Sequence, residues 1–252
     1  MTYCLGLKTK EGLIGLADTR ITSGAERTTA KKIFTVEEDR HCYFIMTSGL
    51  RSVRDKAITY FEEVIEEEKS FHFNKLYKAV NKFSEQIKRV AKEDKKAIEE
   101  AGLSFNLYAI IGGQLEDDKD PCMFLVYPQG NWIEIKSGTP YTIIGNSGFG
   151  TPVLRRSLAY NESMEFALKC AFLSFDATRL SVNDVDYPID TVVMQRDSFR
   201  ITEHRFSQKE LEPISLFWHA RLRDAINELP SDVLQKAFLD EFPISDYLIP
   251  DE

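Results

Sequence analysis

Thr2, Asp18 and Lys32 are side chains near the start of this sequence that could act together in catalysis. A threonine hydroxyl is a weak nucleophile until a base removes its proton. At a chain terminus threonine carries its own base, the α-amine. That amine has an ordinary pKa of about 7.7–8.0, close to the pH at which a general base works best. The amine exists at Thr2 only once Met1 is removed, and threonine is small enough for ordinary methionine excision, so no propeptide is required. The β-branch restricts χ1 and helps to aim the hydroxyl. A nearby ammonium lowers the amine's pKa and favours its proton-accepting form, and Lys32 can supply it. The ammonium in turn needs a carboxylate to keep it charged and oriented. Asp18 ends the second of two short apolar runs and could meet it across a hairpin. Taken singly, a threonine at position two or an aspartate at a strand end is ordinary; the ordered set makes the case.

Other chemistry is not written here. There is no GxSxG, HExxH or P-loop, and GNSGFG at 145–150 lacks the lysine a phosphate loop needs. His41, His72, His204 and His219 have no metal-ligand spacing and read as surface or core histidines. Cys4, Cys42, Cys122 and Cys170 lie far apart in apolar surroundings, as expected of buried, reduced thiols. The net charge of −8, with no isolated basic block, argues against nucleic acid as a partner. Lys88–Arg89 and Lys95–Lys96 alternate with acids, as on a solvated helix face. No apolar stretch approaches the roughly 20 residues of a membrane span. Nor does a basic and then apolar leader precede Thr2. The expectation is a cytoplasmic protein without membrane contact, needing neither metal nor organic cofactor.

The elements that must position these residues follow from periodicity. Residues 2–7 and 12–18 read as a hairpin joined by a polar turn, followed by a loop over 19–32. Strands are expected at 33–36 and 42–47. Leu50, Val53, Ala57, Phe61 and Val64, then Leu76, Val80, Phe83, Ile87 and Val90, recur at three and four and predict two antiparallel helices, the second ending near Gly102. Strands return at 105–111, 123–127, 132–135 and 141–145. Helices follow at 152–160 and 164–175, strands at 189–195 and 199–204, and then a tail of helical pattern (Leu216, His219, Leu222 and Ile226, then Val233, Ala237 and Phe238). No βαβ rhythm and no linker appears. With 252 residues, 43% of them hydrophobic, the chain can bury one sizeable core. Helices grouped outside antiparallel sheets make an α+β, four-layer αββα sandwich. It is expected as a single domain over 1–252, the sandwich covering 1–205 and a helical extension 206–252.

The segments TYCLGLK, GLIGLADTR, KKIF and TSG, taken in order, resemble the proteasome β-type family of N-terminal nucleophile (Ntn) hydrolases. GNSGFGTPVL, SFDAT and PIDTVV are similar to its bacterial Anbu group, and the likeness runs from residue 2 to about 205. The resemblance implies Thr2 as nucleophile with Asp18 and Lys32 as the charged pair beneath it, Lys31 being the neighbouring rival. It implies the Gly49 N–H as oxyanion donor, and Ser147 (or Asn146) near the nucleophile's amine. Asp176 corresponds to a distal aspartate, with Ser181 (or Thr178) as its partner. Arg20 and Thr22 fall where the family lines its substrate cleft, and Ile45 and Met46 are further candidates for pocket walls. The implied function is a threonine peptidase that self-associates into rings or helical stacks, with the first helix pair as a contact surface. The alternatives are an amidase for a small or unusual amide, and a silent assembly subunit that retains Met1. The sequence identifies neither substrate nor any partner ATPase.

Overall fold

Strands β1 (Tyr3–Thr9) and β2 (Gly12–Asp18) form the expected hairpin, with Leu5 opposite Leu16 and Cys4 opposite Ala17. The fold is that of a computed structural model, which describes residues 2–23, 26–67, 73–231 and 234. The stretch expected as a loop instead contains a small hairpin, β3 (Arg20–Ser23) and β4 (Glu26–Thr29). Its strands, RITS and ERTT, are short and polar, so no hydrophobic alternation announces them. Then come β5 (Ile33–Glu38), β6 (His41–Gly49), α1 (Arg51–Glu67), α2 (Leu76–Glu100), β7 (Leu107–Gln114), β8 (Cys122–Val126), β9 (Trp132–Glu134) and β10 (Tyr141–Gly145). After these follow α3 (Thr151–Ser157), α4 (Met164–Arg179), β11 (Ile189–Gln195), β12 (Thr202–Phe206) and α5 (Gln208–Asn227). The last strand starts later than its sequence pattern indicates. Asp197 and Phe199 both take positive φ, so 196–199 is a turn, and Phe199 lies under the Arg40 guanidinium.

Two five-stranded antiparallel sheets result, ordered β10-β1-β2-β11-β12 and β5-β6-β7-β8-β9. Strand alternation decides what lies on each side. Tyr43 and Ile45 of β6 point to α1 and α2, packing with Val53, Phe61, Val80, Phe83 and Ile87. Cys42, Phe44 and Met46 point the other way, to a second core shared with Cys4, Leu13, Ala17, Val192 and Met194 of the facing sheet. Lys56 of α1 pairs with Glu93 and Asp94 of α2, so the start of one helix lies beside the end of the other and the two are antiparallel. On the far side α4 packs on β1 and β2, and α3 packs on α4. The result is the α+β sandwich of four layers that the periodicities imply.

One compact unit ends at Leu211 and a second begins at Glu212, inside α5. In the second unit α5 leaves Leu216, Phe217, Leu222 and Ile226 exposed. The helical pattern at Val233, Ala237 and Phe238 lies outside the described residues, as does His72. Of the cysteines, Cys4, Cys42 and Cys170 are buried and Cys122 is half-buried; all are free thiols.

Candidate active site

Asp18 closes β2 with no exposure to solvent. Its Oδ1 accepts the Tyr3 backbone N–H at 2.8 Å and the Lys32 ammonium, also at 2.8 Å. Lys32 donates a second bond to the Arg20 carbonyl at 2.7 Å, and its side chain is only 4% exposed. Burial pushes the Asp18 carboxyl above its ordinary range; the Lys32 charge is the largest of the effects opposing that rise, followed by hydrogen bonds from Lys32 and the Tyr3 and Arg20 backbones. An ion pair so enclosed holds only with its hydrogen bonds in place, because each charge has lost its water. Lys31, the rival lysine, is half exposed and pairs with Glu203 on the opposite side of the chain from Lys32. Lys32 therefore is the lysine that lies beside residue 2.

The backbone places Thr2 against the end of another strand. The Thr2 carbonyl accepts the Asn146 N–H at 2.8 Å, directly after Tyr3 pairs with Gly145. Gly145 has φ +90°, and a Cβ there would lie 1.9 Å from the Thr2 oxygen, so only glycine fits. The same Cβ would stand 3.3 Å from Ser48 Oγ, which brings the TSG segment to Thr2 as well. Gly49, exposed at the end of β6, has φ +140° and lies against the Asn106 carbonyl. It forms the joint between β6 and α1, whose N-terminal end carries a partial positive charge. Ser147 is exposed on the loop after Asn146, and its carbonyl accepts both the N–H and the hydroxyl of Thr151, so that the chain turns into α3. Of the two candidates, the backbone of Asn146 touches Thr2.

Thr2, Asp18, Lys32, Ser48–Gly49 and Gly145–Asn146 thus meet at one end of the facing sheets. The distal group is arranged differently. Asp176, on α4, is buried and ion-paired to Arg179 at 2.6 Å. Ser181 is exposed and donates to the Ala177 carbonyl, whereas Thr178 is buried and donates to the Ser174 carbonyl; each bond closes α4 on itself. The link from α4 to β1 is another pair, the Tyr3 hydroxyl and Ser174 Oγ, 2.6 Å apart and fully buried. Burial drives the Tyr3 phenol upward, so it stays neutral. Sequence reasoning missed this pair. The available signal was a serine two residues before Asp176, on the buried side of α4.

The Arg20 guanidinium donates to the Asn183 carbonyl at 2.9 Å and to Asp186 at 3.0 Å, tying β3 to the segment after α4. Thr22 lies in β3, and its side chain is outside the described residues. A cleft of 280 Å³ opens beside Lys32 and Thr47, with Ile45 and Arg54 on its walls. Met46, expected as a wall, is instead fully buried between the sheets, because it alternates with Ile45 along β6. Cys4 is enclosed next to the site, and burial raises its thiol well above the range in which it would ionise. A threonine whose neighbour Tyr3 is fastened to a buried lysine–aspartate pair, near an exposed backbone joint at Gly49 and a cleft beside Lys32, is suited to attack on a carbonyl.

The sequence profile of the family described as "Proteasome subunit" matches residues 2–185. Solved structures agree in fold. The Anbu (Gly-1) mutant from Hyphomicrobium sp. strain MC1 is 27% identical with TM-score 0.83, covering 91% of this chain and 98% of that one. The structure titled helical assembly of the Anbu complex, from Pseudomonas aeruginosa, is 26% identical with TM-score 0.84, covering 97% and 99%. Anbu from Yersinia bercovieri, at 24% identity, has a TM-score of 0.83 over 90% and 97%, a likeness of fold. No curated protein matches the chain.

Proposed function

Because the chain belongs to the proteasome subunit family and has its hydrolase fold, we propose that it is a threonine peptidase whose nucleophile is Thr2 after removal of Met1. The observation that carries this reading is the enclosed Lys32–Asp18 pair fastened to the amide of Tyr3, the residue next to the proposed nucleophile. Thr2 Oγ attacks a substrate carbonyl while its own α-amine accepts the hydroxyl proton. Lys32 holds a positive charge beneath the amine, and Asp18 holds Lys32. The oxyanion faces the Gly49 N–H, where a single donor is worth roughly 3–4 kcal/mol of barrier. The amine then returns its proton to the leaving nitrogen as the C–N bond breaks. Water, deprotonated by the same amine, hydrolyses the Thr2 ester and restores the hydroxyl. In this proposal Ser147 stands near the amine, and Asp176 and Ser181 keep the distal place that the resemblance gives them, although Asp176 pairs with Arg179 and Ser181 with the Ala177 carbonyl. Arg20 and Thr22 would line the approach to the cleft, Arg20 by fixing β3.

Two measurements on the purified protein test the reading. Intact mass should show the loss of one methionine, and a peptide epoxyketone should attach once, on the N-terminal peptide. A chain that keeps Met1 and takes no adduct would be the silent subunit, and the peptidase reading would be abandoned. Peptide substrates left intact while small amides are cleaved would instead select the amidase.

We also propose that the chain self-associates. The similar Pseudomonas aeruginosa structure is a helical assembly, and here α5 exposes Leu216, Phe217, Leu222 and Ile226 to solvent. Sedimentation velocity should show species larger than the 28.9 kDa chain. A single species of that mass at all concentrations would rule self-association out.

A further inference from the structure

Tyr3, the residue after the proposed nucleophile, is fastened at four points, and one of them exceeds what packing requires. Its backbone N–H donates to Asp18 Oδ1, and it lies opposite Gly145 in the pairing of β1 with β10. Its side chain leaves the sheet toward α4, while that of Cys4, the next residue, joins the core between the sheets. There the Tyr3 ring meets Phe175 edge to face, the centroids 6.1 Å apart, and its hydroxyl lies 2.6 Å from Ser174 Oγ. Neither Tyr3 nor Ser174 is exposed to solvent. A phenylalanine facing an alanine would fill nearly the same space and leave no polar atom to satisfy, and exchanging both partners for apolar groups is close to neutral for stability. What the two hydroxyls add is direction: a short bond holds a ring on β1 and a turn of α4 at one fixed separation.

The loop that reaches Thr2 ends on that bond. The segment GNSGFG begins at Gly145, opposite Tyr3, and the Asn146 N–H then meets the Thr2 carbonyl at 2.8 Å. It ends at the buried Gly150, where a Cβ would stand 2.4 Å from Ser174 Oγ and 2.9 Å from the Tyr3 hydroxyl. The Gly150 backbone therefore lies close against the hydroxyl pair, with no room for a side chain between. Both ends of the loop thus meet one residue, the start its backbone and the end its phenol. Between them Ser147, Gly148 and Phe149 are exposed, and a Cβ at Gly148 would meet only open space. We propose that Tyr3 and Ser174 are positioning residues, their hydroxyl pair being the seat that holds residues 146–149 over Thr2. The proposal rests on the reading of Thr2 as nucleophile and gives that site a support on α4. Ser147, which that reading sets near the α-amine, is carried by the middle of this loop, so loosening the seat at Gly150 lets it wander. The rate of attack then falls, because small departures from a productive geometry are costly. Substrate affinity does not, since both hydroxyls are fully enclosed.

Tyr3→Phe, Ser174→Ala and the double variant separate a seat from mere packing. Amide exchange over residues 146–149, followed by mass spectrometry on the full-length protein, should quicken roughly tenfold in each single variant. On a fluorogenic peptide kcat should fall about tenfold, with KM within about twofold of wild type. Each single variant strands one buried hydroxyl and should lower the urea midpoint; the double variant strands none and should regain it. Its loop should nonetheless exchange fast and its kcat should stay low. If a single variant proves poorly folded, the double variant decides alone. A kcat that returned with the midpoint, or loop exchange at the wild-type rate in the double variant, would overturn the proposal, and so would fast exchange beside an unchanged kcat. Exchange also keeps this idea apart from the peptidase reading, because it does not need turnover. Fast exchange in the variants of a protein that cleaves no peptide and takes no epoxyketone would sink the nucleophile and leave the seat; wild-type exchange in the variants beside normal cleavage would do the reverse.

Discussion

Replacing Lys32 with methionine is expected to abolish labelling of Thr2 and to destabilise the protein by about 3–5 kcal/mol near pH 8. The substitution keeps most of the side-chain volume and removes the charge. It leaves Asp18, which has no solvent exposure, with only backbone partners. Breaking one half of an enclosed ion pair costs more than the pair contributes, since the remaining charge can reach neither water nor a counter-charge. The loss should depend on pH in a definite direction. The folded-state pKa of Asp18 is already raised, by burial, and Lys32 is what holds it back. In the variant it rises further. The folded protein then binds this proton more tightly than the unfolded chain does, so the stability gained by protonation is present at low pH and is lost as pH rises through the folded pKa. The deficit relative to wild type should therefore shrink on going from pH 8 to pH 5. Urea unfolding midpoints at the two pH values give the answer, and a deficit that grows toward acid would contradict the pairing. Asp18→Asn with Lys32→Met, which removes both charges, should recover part of the lost stability without restoring labelling.

Thr2→Ala should reduce amide hydrolysis by at least about 10³-fold while leaving the unfolding midpoint within about 0.5 kcal/mol of wild type. The two halves of that statement have separate causes. In the proposed reaction the hydroxyl forms the ester, and no neighbour would replace it: Cys4 is held as a thiol by burial, and Ser48 is not on the chain terminus. The fold, by contrast, uses the carbonyl of Thr2, which the Asn146 N–H meets at 2.8 Å, and alanine has the same carbonyl. Thr2→Ser keeps the hydroxyl and remains small enough for methionine excision. It loses the β-methyl that restricts χ1, so activity should survive at a reduced level, by about tenfold or less. Rates for the three proteins on one fluorogenic peptide distinguish a nucleophile from a residue that merely shapes the site. If Thr2→Ala retained full activity, the nucleophile would have to be sought elsewhere.

Most of the architecture was legible because burial imposes periods. Residues 12–18 are buried throughout, and α2 repeats its buried apolar side chains at three and four from Leu76 to Val90, so both could be read directly. The β3–β4 hairpin could not, because its short strands, RITS and ERTT, show no apolar alternation in sequence. The residues near the site divide the same way. Thr2, Asp18 and Lys32 stood out because each has a chemical type that a short strand does not need for packing. Tyr3 and Ser174, 171 positions apart, did not, since neither type signals a partner and only the stacking of α4 on β1 brings them together. Met46 and Ile45 looked equivalent in composition, and the register of β6 sends one into the core and the other to the cleft.

The contacts of Asp18 carry a consequence for maturation. Its carboxylate is anchored by the amide of Tyr3 and by Lys32, and Lys32 by the Arg20 carbonyl; none of these bonds draws on the hydroxyl or amine of residue 2. The scaffold that would awaken the nucleophile thus stands complete in the unprocessed chain. Trimming a single residue would then act as an on-switch without refolding, and the timing of activity would rest with the cell's methionine aminopeptidase rather than with any rearrangement of this protein.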